Sequence, residues 1–259
     1  MKRIIFLASL FLFAHTFALA QTRKDGDKPD LNRGRTLYTV GYVHLDTQWN
    51  WDIQTTIKDY VWNTLNQNLF LLNQYPDYIF NFEGGVKYAW MMEYYPREYE
   101  LMKAFVKAGR WHVSGASWDA TDTLVPSVES FIRNIMLGQE FYRKELGEES
   151  TDIFLPDRFG FGWTLPTVAA HCGLIGFSSQ KLDWRNNPFY GKSKHPFTIG
   201  LWKGVDGASV MLAHGYDYGR RWDNEDLSEN KYLMELSKCT PLNLSLIHIS
   251  EPTRLGMIS

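Results

Sequence analysis

The chain has 259 residues, 44% of them hydrophobic, which is enough for one sizeable core and makes a single folded domain the default. Its formal net charge is −2, with 27 Lys and Arg interspersed among 29 Asp and Glu, so nothing points to nucleic acid or an anionic membrane surface as partner. Ten Trp, 14 Tyr and 16 Phe make the chain rich in aromatic faces. Most belong in a core, and the remainder could line a pocket for a polar, ring-shaped ligand.

The N-terminus reads as an address. Lys2 and Arg3 precede the short apolar run Ile4 to Phe13, and Ala18-Leu19-Ala20 matches a cleavage site before Gln21. Residues 1–20 are therefore expected to be a signal peptide, sending the protein to a periplasm or outside the cell. The apolar run is shorter than the roughly 20 residues that span a bilayer, so no stable membrane anchor is expected after cleavage. Residues 21–35 are charged and almost free of apolar side chains, as in a flexible leader. Cys172 and Cys239 alone make no disulfide framework.

A strand is predicted from Thr36 to Val43, ending in Tyr42-Val43-His44-Leu45-Asp46-Thr47-Gln48-Trp49. Side chains two apart leave a strand on the same face, so His44 and Asp46 emerge together at its end. An imidazole nitrogen and a carboxylate oxygen presented together are two ligands for a zinc-like ion, with Trp49 beside them as a platform for a polar, ring-shaped ligand. The same residues could instead form a His–Asp hydrogen bond next to a core tryptophan. Helical spacing follows over Ile57 to Tyr75, through Val61, Leu65, Leu69 and Leu72. A strand over Ile79 to Phe82, a helical region from Val86 to Lys107 broken near Pro96, and a strand over Trp111 to Val113 come next. Asp119 and Asp122 fall in the following loop, where capping or solvation accounts for them as well as catalysis does. Pro126-Ser127 opens an amphipathic helix carrying Phe131, Ile135 and Phe141.

A fourth strand, Ile153 to Leu155, ends at Pro156-Asp157-Arg158-Phe159-Gly160, and a helix is expected over Leu165 to His171. Gly176 to Ser178 reads as a fifth strand, with Lys181 and Asp183 alternating after it. Thr198 to Trp202 and Val210 to Leu212 flank Asp206-Gly207, a hairpin signal. His214 reads as a hydrogen-bonded strand-end histidine, the other reading being an extra metal ligand, and a last helix is expected over Leu227 to Ser237. Alternating strands and helices favour an α/β fold with a parallel sheet, whose active sites gather at the C-terminal strand ends.

His44-x-Asp46-x-x-Trp49 with Pro156-Asp157-x-Phe159-Gly160, together with Gly109-Arg110-Trp111-His112-Val113-Ser114-Gly115, resembles glycoside hydrolase family 38, the zinc-dependent α-mannosidases. The likeness covers 36–243, the expected N-terminal catalytic domain, and implies a seven-stranded (β/α) barrel, incomplete at its C-terminal end. It further implies that His44, Asp46 and Asp157 bind zinc (Zn2+), that Asp157 is also the nucleophile, and that Trp49 packs on the mannose ring. Lys181 and the tyrosines Tyr216 and Tyr218 would contact substrate, an α-mannoside glycan. A retaining glycosidase of this kind needs two carboxyl groups about 5–5.5 Å apart, one attacking and one protonating the leaving oxygen.

The family's acid/base aspartate and its further zinc-binding histidine have no counterpart here. Residues 244–259 resemble translated sequencing-adapter sequence and are expected to be a non-native tail, the other reading being an edge strand. The chain is accordingly expected to be a truncated, weakly active or inactive fragment. Two other functions fit parts of the pattern. A metal-dependent polysaccharide deacetylase would use a similar His/Asp pair but needs H-x-x-x-H, which is absent from the sequence. A non-catalytic mannose-binding remnant needs only Trp49 and the metal.

Overall fold

A computed structural model of the chain describes residues 39–179, 181, 199–214 and 247–250. The N-terminal segments 1–35, the helix expected over 227–237, and Asp183, Tyr216, Asp217 and Tyr218 lie outside these residues. The first half of the fold is built on three parallel strands, β1 (Thr39–Val43), β2 (Phe80–Glu83) and β3 (Trp111–Ser114). β1 sets Gly41, Tyr42 and Val43 against Phe80, Asn81 and Phe82, and β2 sets Phe80 against Trp111. Gly41 is required where it stands, since a Cβ there would lie 2.8 Å from the Tyr78 hydroxyl. The core beneath is aromatic. Phe80 meets Trp111 edge-to-face at 4.7 Å, and Trp111 Nε1 donates to the Tyr88 hydroxyl, which donates to the Phe82 carbonyl.

Between β1 and β2 the chain is one continuous helical rod: α1 (Ile53–Thr55), a π-helical stretch Thr56–Val61, and α2 (Trp62–Gln74). Asp52 caps it by accepting from the Thr55 amide. Apolar residues spaced by four, Ile57, Val61, Leu65 and Leu69, would drift off one face of a 3.6-residue helix. The wider π-turn keeps Ile57 and Val61 on the buried face with Leu65. Two helices, α3 (Gly85–Tyr94) and α4 (Pro96–Lys107), separate β2 from β3, with Pro96 opening the second as a first-turn proline can.

The second half carries β4 (Asp152–Phe154), β5 (Gly176–Ser179), β6 (Ile199–Lys203) and β7 (Ser209–His214) in the order β4-β5-β7-β6. β4, β5 and β7 are parallel, and β6 returns antiparallel on β7 through the Asp206-Gly207 turn, as expected. α5 (Val128–Phe141), capped by Ser127, precedes β4, and α6 (Leu165–His171) crosses from β4 to β5. Ile135, Ile153, Leu155, Leu165, Phe177 and Leu212 form its core. Residues 247–250, which the sequence assigns to a non-native tail, form β8 (Ile247–Ser250) parallel to β1. Among the described residues the sheet is thus eight strands in two groups of four, within a mixed α/β architecture. No helix among them is long and apolar enough to cross a membrane.

The two groups meet at β3 and β4. Ala116 N–H donates to the Asp152 carbonyl at 2.8 Å, while the Asp152 carboxylate accepts from Gly115 N–H at 3.1 Å and from Ser150 Oγ at 2.8 Å. Burial pushes the Asp152 carboxyl up, against the opposing pull of those donors. Gly138 on α5 sits against the same crossing. A Cβ there would overlap the Ala116 oxygen and the Ser117 carbonyl carbon and lie 2.7 Å from Trp118 N. Alanine is the better helix former by about 1 kcal/mol, but the overlap outweighs it. Gly138→Ala is expected to destabilise the chain by about 1–3 kcal/mol, measured as a lower urea midpoint. A raised midpoint would show that the 116–118 loop yields instead.

Candidate active site

β1 ends in a buried imidazole. His44 leaves the strand beside Glu83, the last residue of β2, and His44 Nδ1 lies 3.0 Å from Glu83 Oε1. His44 Nε2 is buried without a hydrogen bond among the described residues and faces Asp46 Oδ1 at 3.4 Å. The pair foreseen from the alternation of strand side chains is therefore formed. Glu83 adds something not foreseen: a carboxylate fixing one ring nitrogen and leaving the other aimed at Asp46. Metal-binding histidines are commonly held this way. Burial lowers the His44 pKa, but contacts with Asp46 and Glu83 outweigh it and raise it to about 9. Asp46 is correspondingly lowered, chiefly by His44.

The loop that follows turns an indole outward. Trp51 is tied down by donating from Nε1 to Thr56 Oγ1 at 2.8 Å, and Thr56 Oγ1 donates to the Thr47 carbonyl at 2.7 Å. Trp49 touches Trp51 edge-to-face and remains 69% exposed, so it is not a core residue. The indole is open to a ligand.

Asp157 follows β4, and its Oδ1 lies 2.7 Å from Lys181 Nζ, beyond the end of β5. Lys181 also stands over the Phe159 ring at 4.8 Å. Arg158 donates to the Ala120 carbonyl at 2.9 Å and helps lower Asp46. Phe159 and Trp163 are largely exposed beside Asp157. The sequence expectation of one His44–Asp46–Asp157 cluster takes the form of two pairs, His44 with Asp46 and Asp157 with Lys181. Among the described residues no group of three or more His, Cys, Asp or Glu side chains is placed to hold a metal ion. Two of the expected ligands nevertheless fit one: a buried imidazole nitrogen without a hydrogen bond, which gives up its proton on binding, and the partly exposed carboxylate beside it are a nitrogen–oxygen donor set suited to zinc. Tyr216 and Tyr218 lie outside the described residues, as does the side chain of His214.

Two charged residues near His44, Glu83 and Lys87, are not singled out by the sequence, and Asp119 is named there only as a loop acid. One signal was available for Lys87, which shares a helix face with Tyr88 and Met91, both fully buried.

The fold is shared with proteins of known structure. The structure matches an α-mannosidase from Enterococcus faecalis with a TM-score of 0.59 and 22% identity, covering 69% of this chain and 20% of that one. It matches a 4-α-glucanotransferase from Thermococcus litoralis at 0.62, with 14% identity over 86% and 34% of the two chains. Residues 34–243 match the model of the glycosyl hydrolases family 38 N-terminal domain, and the chain belongs to that family. It is 36% identical over 175 residues to alpha-mannosidase G of Dictyostelium discoideum, covering 68% of this chain. It is 30% identical over 196 residues, 74% of its length, to human alpha-mannosidase 2C1. The chain spans only 16% and 18% of the lengths of these two relatives.

The pairing of His44 with two carboxylates has a measurable consequence. In metal-free protein the imidazole is expected to hold its proton up to about pH 9, against an ordinary value of 6.5. The stability this contributes is complete below about pH 6.5 and is lost as pH rises toward 9. NMR titration of the His44 ring checks it, and Glu83→Gln should move the midpoint down. A wild-type midpoint near 6.5 would contradict the assignment.

Proposed function

We propose that this chain is the substrate-binding and nucleophile-bearing domain of a zinc-dependent, retaining α-mannosidase acting on terminal α-mannosyl residues of glycans. The observation that carries the reading is the His44–Asp46 pair, fixed by Glu83 at the end of β1 and followed by an exposed Trp49, inside a family 38 domain. The finer architecture in this reading is a seven-stranded α/β barrel, supported by the Ala116–Asp152 link between the two strand groups.

Zinc would be held by the His44–Asp46 pair, and when bound it supplies a template and Lewis acid for the sugar's vicinal hydroxyls. The other roles belong to the chain itself. Trp49 offers its face to the apolar side of the ring. Asp157 attacks the anomeric carbon as the glycosidic bond breaks, and the resulting ester is later hydrolysed with net retention. Lys181, 2.7 Å from Asp157, orients the attacking carboxylate. Tyr216 and Tyr218 are assigned to sugar hydroxyls. The proton for the leaving oxygen comes from a second carboxyl group, which no described residue is assigned to supply.

General acid catalysis contributes about 10²–10⁴-fold, so the 259-residue chain alone is expected to turn over an aryl α-mannoside very slowly. The test is to assay it with zinc beside any longer product of the same gene. Turnover confined to the longer form, lost on chelation and reduced by about 10⁴-fold or more in Asp157→Ala, is the expected result. Unchanged turnover in Asp157→Ala would overturn the reading.

A further inference from the structure

Lys87 is fully buried, a rare fate for a lysine, since its ammonium must be taken out of water. It belongs to the inward face of α3 with Tyr88 and Met91. Its Nζ lies 3.8 Å from Glu83 Oε1 and 3.8 Å from Asp119 Oδ1, and it forms no hydrogen bond among the described residues. A methionine would fill much the same space without the cost of desolvation, so packing does not explain the charge.

Each of the two carboxylates has a second contact, and both lead to one short segment. Glu83 Oε1 holds His44 Nδ1 at 3.0 Å, and Asp119 Oδ2 accepts from Thr47 Oγ1 at 2.6 Å. His44 and Thr47 flank Asp46. The segment bearing the proposed metal pair is therefore clamped at both ends, by two acids that share a single buried cation. Their anchors are rigid. Asp119 exchanges two hydrogen bonds with the Asn134 side chain, at 3.1 and 2.8 Å. The first amides of α3 reach across to the same loop, Gly85 to the Ser117 carbonyl and Val86 to the Trp118 carbonyl.

We infer that Lys87 is a positioning residue for the metal-binding pair: it aligns Glu83 and Asp119, and through them fixes the His44 ring and the Asp46 carboxylate. The inference rests on the zinc reading above. It concerns metal affinity, and does not depend on turnover.

The test is zinc binding by the purified 259-residue chain, in competition with a chromophoric chelator, well below the melting temperature of each variant. Lys87→Met is expected to weaken zinc binding about 10–100-fold, the usual effect of losing a group that orients a ligand. Thr47→Val, which breaks only the outer clamp, should weaken it by about three- to tenfold. Ile135→Ala, in the other core, should lower the melting temperature and leave zinc affinity unchanged, which separates positioning from general loss of stability. Wild-type affinity in folded Lys87→Met overturns the inference. If that variant does not fold, unchanged affinity in Thr47→Val overturns it. Failure of the wild-type chain to bind zinc overturns the zinc reading itself, and this inference with it.

Discussion

Parallel pairing of β1 with β2 places Val43 opposite Phe82, so the next residues on the two strands, His44 and Glu83, leave the sheet side by side. Their 3.0 Å contact is a consequence of register as much as of chemistry. A slip of one residue would turn every side chain of β1 to the other face, burying what is now exposed and separating the imidazole from its carboxylate. The register is favoured by Gly41 of β1, where the Cβ of a shifted residue would lie 2.8 Å from the Tyr78 hydroxyl, while Phe80, Phe82 and Trp111 pack β2 on β3. The aromatic core and the polar site are therefore one construction. Moving either would move the other.

That construction carries a cost. Glu83, Lys87 and most of His44 are withdrawn from water, and buried ion pairs seldom stabilise as much as apolar residues of equal volume. The surrounding packing has to offset this, and the first core is correspondingly large, with Val61, Leu65, Tyr88, Met91, Met102 and Tyr142 all completely buried. A cluster that reduces stability is retained where geometry matters more. It holds a nitrogen and an oxygen in place before any ligand arrives, so binding need not order them.

Local structure was legible in the sequence because its signals are local. Pro96, Ser127, the Asp206-Gly207 turn and the period of Leu165–His171 each act within a few residues, and each element formed where expected. The same holds for His44 and Asp46, two apart at a strand end. The rest of the site depends on which strands become neighbours. Glu83 and Asp119 come from segments far from His44 in sequence, and no spacing rule joins them. Nothing local marks Lys87 as buried, since lysines are usually solvated. The π-helical stretch, too, arises from the fit of Ile57 and Val61 against a core whose shape sequence periodicity does not describe.

Three carboxylates show why burial alone does not mark a functional group. Asp152 is half-buried, yet its Oδ1 accepts from both Gly115 N–H and Ser150 Oγ–H, and it serves to join β3 to β4. With two donors from neighbouring segments on that one oxygen, Oδ1 is engaged in joining the strands. Asp46 and Asp157 differ. Their side chains are 28% and 23% exposed, and each faces a cation or potential cation, His44 or Lys181, in place of a ring of backbone donors. Such partners can be exchanged for a metal ion or an electrophilic carbon without breaking the fold. Availability of a lone pair, together with a partner that can be displaced, is what separates the acids assigned to chemistry from the one assigned to architecture.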